Sequence, residues 1–150
     1  MPTRPNWTPG GTREAIRGHA YLWYEWDWNA ADRSFKRTLE LNPSYATARQ
    51  WYAGYLQTVE RIDESFAEYS RMFELDPLSM VGRAALEGSL YLERQYDRVI
   101  AESRRTLELD PGFVPAYFNL GRAYTQKGQH REAIAELKRA RTSCPVKAPR

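Results

Sequence analysis

Apolar positions along the chain follow a helical rhythm that is broken at regular places. In "VPAYFNLGRAYTQKGQHREAIAELKRARTSCP", Tyr117, Leu120 and Tyr124 recur three and four residues apart, the spacing of one face of a helix. The break "KGQ" follows, and Ala133, Ile134, Leu137 and Ala140 then mark a second helix. The closing proline cannot continue that helix and biases the residue before it away from helical geometry, so it separates this hairpin from any other. Gly121 and Ala133 are small where the two helices must approach closely.

The same pattern recurs. The tails "LELNP", "FELDP", "LELDP" and "RTSCP" end at Pro43, Pro77, Pro111 and Pro145, each 34 residues after the one before. A fixed period of this size marks tandem units, each too small to bury its apolar face alone, that stack on their neighbours.

The residues Tyr117, Leu120, Gly121 and Tyr124, then Ala133 and Leu137, then Pro145, resemble the tetratricopeptide repeat signature. In that register the repeats span 12–45, 46–79, 80–113 and 114–147, with 1–11 a flexible N-terminal segment and 148–150 a C-terminal tail. The resemblance implies an all-α, right-handed superhelical solenoid of four helix-turn-helix hairpins, about eight helices, whose leading helices line a concave groove. The second unit keeps Tyr52, Ala53, Leu56, Tyr69 and Pro77, with Ser65 at the small position and Met72 where alanine is usual. The third has Leu86, Leu90 and Pro111, but Glu87, Val99 and Thr106 at usually small positions. The first has His19, Ala31, Phe35, Thr38 and Pro43, with Gly18 where the signature wants leucine, so its leading helix departs furthest.

The aromatic run "YLWYEWDW" opens at Tyr21 in that first unit. Trp26, Asp27 and Trp28 fall in its turn, and Trp28 takes the place of Ile62 and Tyr96, where a side chain able to bury roughly 150–250 Å² wedges the hairpin shut. Trp26 is assigned to packing with it. For Trp23 and Tyr24, whose phase is toward the inner surface, packing and ligand contact both stay open.

Composition narrows the function. The 150 residues are 42% hydrophobic with no run long enough for a membrane span, and "MPTRPNWTPGG" lacks the apolar stretch of a secretory signal, so a cytoplasmic protein is expected. The single cysteine, Cys144, supports neither a disulfide framework nor a thiolate metal site and reads as an incidental thiol, although Arg141 and Lys147 lie near it in sequence. A net charge of +3 is spread through the chain rather than gathered, and "LKRARTSCPVKAPR" reads as a solvated helix and tail, so no nucleic-acid partner is expected. Helical-hairpin repeats that read RNA have a slightly longer period. The motifs HExxH, GxxxxGK[ST], GxGxxG and GxSxG are absent, and His19 and His130 lie more than three repeats apart, so no enzyme, cofactor or metal is expected. Asp63, Glu64 and Asp97 fall in the first turns of second helices, where acids favour the helix dipole.

The resemblance then supplies a site. Carried onto this chain, the family's groove positions include Trp23, Tyr24, Gln50, Trp51, Tyr91, Phe118, Asn119 and Arg122, a neutral and aromatic lining. Clamping the C-terminal carboxylate of chaperones needs lysines and asparagines that only Asn119 and Arg122 approach. The expected role is therefore a protein-interaction module that holds an extended segment with apolar or aromatic side chains between Trp51, Tyr91 and Phe118. The order of units also resembles repeat regions at the C-terminal ends of bacterial winged-helix regulators and serine/threonine kinases, which makes a sensor or regulatory fragment the alternative. Leu39/Leu41, Phe73/Leu75 and Leu107/Leu109 are expected to pack on a following hairpin, whereas the fourth unit has Arg141 and Ser143. The chain is thus expected to end where its solenoid ends, as a monomer or as a weak homodimer that covers Ile134 and Leu137 through the C-terminal hairpin.

Overall fold

The structure, a computed structural model, describes residues 9–143. The readings of residues 1–8 of the N-terminal segment, of Cys144, Pro145 and Lys147, and of the C-terminal tail lie outside them. Eight α-helices follow one another with no strand among the described residues: α1 (Pro9–Ala20), α2 (Trp28–Leu41), α3 (Ala46–Thr58), α4 (Ile62–Leu75), α5 (Met80–Leu92), α6 (Tyr96–Leu109), α7 (Val114–Gln126) and α8 (His130–Ser143). A π-helical turn, Tyr21–Glu25, extends α1. The described residues form two compact units that divide between Gly82 and Arg83, within α5. In the first unit α1 packs on α2 and α3 on α4; in the second α7 packs on α6 and α8.

The hairpin turns repeat one backbone device. Trp26, Glu60, Arg94 and Gly128 adopt left-handed conformations with φ of 55°, 61°, 56° and 72°. In three of the turns the next residue's N–H reaches back five residues, from Arg61 to Leu56 O, Gln95 to Leu90 O and Gln129 to Tyr124 O, and so satisfies a carbonyl orphaned at the helix end. In the first turn Asp27 N–H reaches back six, to Tyr21 O. The π-helical turn absorbs that additional residue. Everything upstream of it is displaced by one position, so Gly18 rather than His19 takes the small site: a Cβ on Gly18 would stand 3.1 Å from the Phe35 ring, as one on Gly121 would stand 2.7 Å from Leu137. Asp27 then caps α2, its Oδ1 accepting from Ala30 N–H at 2.8 Å. The acids at the starts of α4 and α6 lie in the first turn, where the dipole favours them.

The two units fill their cores differently. The first centres on Leu22, Ala31, Phe35, Tyr52, Tyr55 and Leu56. Phe35 lies 5.9 Å from both Tyr52 and Tyr55, and the two tyrosines stack within 8° of parallel. Their hydroxyls leave the cluster to donate to Asp32 Oδ1 at 3.1 Å and Trp28 O at 3.0 Å. The second buries Leu90, Val99, Ala116, Leu120, Ala123 and Tyr124, and with them Glu87, which has no solvent exposure. Glu87 Oε2 accepts from Ser103 Oγ and Asn119 Nδ2, both at 2.8 Å, and Oε1 lies 2.7 Å from Thr106 Oγ1. The enlarged residue at a usually small position is thus accommodated by short polar residues opposite it.

The expected pairs of leucines behave asymmetrically. Leu39 packs against the first core, but Leu41, Leu75 and Leu109 are exposed, because residues two apart on a helix point to opposite faces.

Candidate functional site

The leading helices α1, α3, α5 and α7 carry the residues singled out for binding. In the second unit, Phe118, Arg122 and Gln126 recur every fourth residue along α7, so they share one face. The Arg122 guanidinium lies 3.9 Å from the centroid of the Tyr91 ring, a cation–π contact, and Gln126 Nε2 donates to Tyr91 Oη at 3.1 Å. Tyr91 also meets Tyr96, with ring centroids 5.6 Å apart, so its orientation is fixed from two sides. Phe118 is 51% exposed. Asn119 departs from the expected contact role: it is 8% exposed and its amide is committed to Glu87. One residue along α7 from Phe118, it faces the core.

In the first unit, Trp23 and Tyr24 lie on the π-helical turn and are 61% and 84% exposed. Trp51 lies on α3. It is half-buried against the aromatic core, and His19 contacts it edge-on at 4.9 Å. His19 is also 6.2 Å from Trp23. Burial lowers the His19 pKa, which favours the neutral ring between the two indoles. Gln50 sits half-buried beside Trp51 on α3. Trp28 is half-buried against the core as its wedge role requires, but Trp26 contradicts the packing assignment at 66% exposure.

Gly54 and Gly88 occupy equivalent positions in the middles of α3 and α5, and a Cβ on either would meet nothing within 4 Å. Packing therefore does not require these glycines, although each costs roughly 0.5–1 kcal/mol relative to alanine in a helix.

A second kind of cleft escaped the sequence reading. Lys36, Leu39, Arg49, Tyr52, Glu68 and Arg71 line about 550 Å³ in the first unit, and the equivalent positions Arg104, Leu107, Tyr117, Leu120, Glu136 and Arg139 line about 390 Å³ in the second. In the first cleft Glu68, nearly buried, is held by Arg49 at 2.7 Å and Arg71 at 2.5 Å. Arg49 and its counterpart Tyr117 both donate to the carbonyl of the proline six residues earlier, Pro43 and Pro111. These polar groups are engaged in holding helices together. The neighbouring Arg61 is paired with Glu64; its hydrogen bond raises the Arg61 pKa and lowers that of Glu64. Burial, then the Asp32 charge, raises the Tyr52 pKa, so its hydroxyl stays a donor. Among the described residues no cluster of three His, Cys, Asp or Glu side chains is placed to hold a metal, and no helix is long and apolar enough to cross a membrane.

Residues 90–143 match the tetratricopeptide repeat family model. No curated protein sequence matches the chain. Among known structures, the chain is similar to MamA, with 22% identity, a TM-score of 0.73, and coverage of 89% of this chain and 77% of that one. Pseudomonas aeruginosa PilF gives 19% identity and a TM-score of 0.77 over 92% of this chain, which spans only 63% of PilF. YrrB, described as a tetratricopeptide repeat protein with an unusual peptide-binding site, gives 21% identity and a TM-score of 0.71 over 91% of this chain and 70% of its own. At these identities the likeness is one of fold.

Proposed function

We propose, for a chain that carries tetratricopeptide repeats, the role of a non-enzymatic interaction module that holds an extended peptide segment on the exposed faces of its leading helices. The observation that carries this reading is the arrangement on the second unit. Arg122 is held over Tyr91 with no carboxylate partner among the described residues, and Phe118 is exposed one turn earlier on the same helix face. A fixed, unneutralised cation beside an exposed aromatic offers a peptide carbonyl or carboxylate one contact and an apolar side chain another. The open glycines Gly54 and Gly88 support it, since a ligand's backbone can approach a helix most closely where no Cβ intervenes. In the first unit Trp23, Tyr24 and the exposed part of Trp51, with Gln50 beside it, offer a corresponding aromatic surface. Asn119 contributes from beneath, by fixing Glu87. Peptide binding by YrrB provides a precedent on a similar fold.

Peptides selected on the wild-type chain from a random display library test the reading. Phe118→Ala and Arg122→Ala should each weaken them, Phe118→Ala by about 2 kcal/mol, or roughly thirtyfold, as for an interface anchor. Thermal stability should change by under about 0.5 kcal/mol, because both side chains are exposed. Selected peptides that bind both variants as they bind the wild type would discard this face.

A further inference from the structure

The turn of the first hairpin stays outside that surface. Its left-handed position is filled by Glu60, Arg94 and Gly128 in the other hairpins and by Trp26 here. A left-handed backbone is costly for any residue with a Cβ, and a bulky ring gains nothing from it locally. Burial does not compensate, since Trp26 is 66% exposed. The turn geometry therefore does not call for tryptophan, and the core does not use it.

What the structure gives the ring is an aromatic neighbour. The Trp26 indole meets that of Trp28 edge-on, with centroids 6.0 Å apart and planes at 71°. Trp28 is braced from behind by the aromatic core, and its carbonyl accepts the Tyr55 hydroxyl. The result is a corner of two indoles, one rigid and one open to solvent. The charges carried by the turn itself have one sign. Residues 21–32 contain Glu25, Asp27 and Asp32 and no lysine or arginine. Asp32 is taken up by Lys36 and Arg61. Asp27 caps α2 through one oxygen and has no cationic partner among the described residues, and Glu25 is exposed without one. Electron-rich ring faces beside unneutralised carboxylates attract cations and repel anions.

We infer that the Trp26–Trp28 turn is a second binding site, which takes a lysine or arginine side chain of a basic peptide segment over the exposed indole face, flanked by Glu25 and Asp27. The sign of the charge argues against an acidic peptide or an anionic lipid surface.

The test uses the full chain with ¹⁵N-labelled tryptophan, whose five indole N–H signals are followed on titration with a capped tetralysine peptide, a capped tetraglutamine peptide and phosphatidylcholine vesicles. Tetralysine should shift the Trp26 and Trp28 signals saturably, and tetraglutamine should not. Trp26→Gly removes the ring and suits the left-handed turn, so the variant folds; it should bind tetralysine about fivefold more weakly, the order of a cation–π contact at an exposed site. Glu25→Gln should weaken it further. Unchanged tetralysine binding by Trp26→Gly, equal shifts with tetraglutamine, or a response to the vesicles alone would each overturn the site.

Discussion

The two units solve one packing problem with opposite chemistry. Where helices of the first hairpins meet, the first unit stacks Phe35, Tyr52 and Tyr55 and sends the tyrosine hydroxyls to the periphery. At the corresponding place the second unit buries a carboxylate and surrounds it with Ser103, Thr106 and Asn119. An aromatic core is stable but tolerant of small shifts, since dispersion falls off gradually. A buried carboxylate with directional partners permits few arrangements, and an unpaired member is expensive. The lesson is that the second unit's exposed face, with Tyr91, Phe118 and Arg122, stands on a floor fixed by hydrogen bonds, while the first unit's rests on rings.

The aromatic core should break with the largest effect. Phe35 is fully buried and fills the space above Gly18, so Phe35→Ala should cost about 3–5 kcal/mol. Hydrogen exchange resolved by residue should show the loss first among amides of α1–α4. Equal loss in residues 96–143 would contradict the assignment of separate cores.

Breaking the polar core should come next. Glu87→Ala strands the buried Ser103 and Asn119 donors and leaves a cavity, for a cost of about 3 kcal/mol. Glu87→Gln should cost under about 1 kcal/mol, for a geometric reason. Thr106 Oγ1 lies 2.9 Å from Glu102 O as well as near Glu87 Oε1, and its one proton can go to the carbonyl. The amide that Glu87→Gln introduces could then donate to Thr106 Oγ1 while its oxygen keeps Ser103 and Asn119. Chemical denaturation of the two variants measures the difference, and equal losses would show that the charge matters more than the geometry.

Glycines sharpen the comparison within the second unit. Gly121→Ala drives a Cβ to 2.7 Å from Leu137 Cγ and should destabilise by about 1–3 kcal/mol. Gly88→Ala meets open space and should stabilise by roughly 0.5–1 kcal/mol. If the proposed function holds, Gly88→Ala should also weaken the selected peptides.

Much of this was legible in the sequence. The period, the turns and the acids at helix starts follow from local rules, because proline, left-handed turn positions and helix dipoles act within a few residues. The displaced register of α1 was not, since a strict 34-residue alignment assumes continuous α-helical geometry and the π-helical turn adds a residue. Gly18, out of place by alignment, was the visible sign of it. Asn119 was placed by the family's groove positions, and a repeat position cannot tell a residue at the boundary of a face from one at its centre. Glu87 was visible only as an oversized residue; its partners sit 16 to 32 residues away and required the fold.

The smallest expected effect separates the first unit's aromatic face from everything else that titrates. His19 stacks edge-on against Trp51, and burial lowers its pKa below the ordinary histidine value of about 6.5. The unfolded chain therefore binds a proton at His19 more readily than the folded one, so stability contributed by the neutral ring is present above the ordinary value and is lost as pH falls through and below it. Lowered carboxylates such as Glu64 have their window at more acidic pH and leave the range near pH 5.5–8 undisturbed. His19→Phe keeps a ring against Trp51 but cannot titrate. The wild type should melt slightly lower at pH 5.5 than at pH 8, and His19→Phe should reduce that difference. A difference of the same size in both proteins would mean that His19 is as well solvated folded as unfolded, and that Trp51 is more open than its half-buried position against the core indicates.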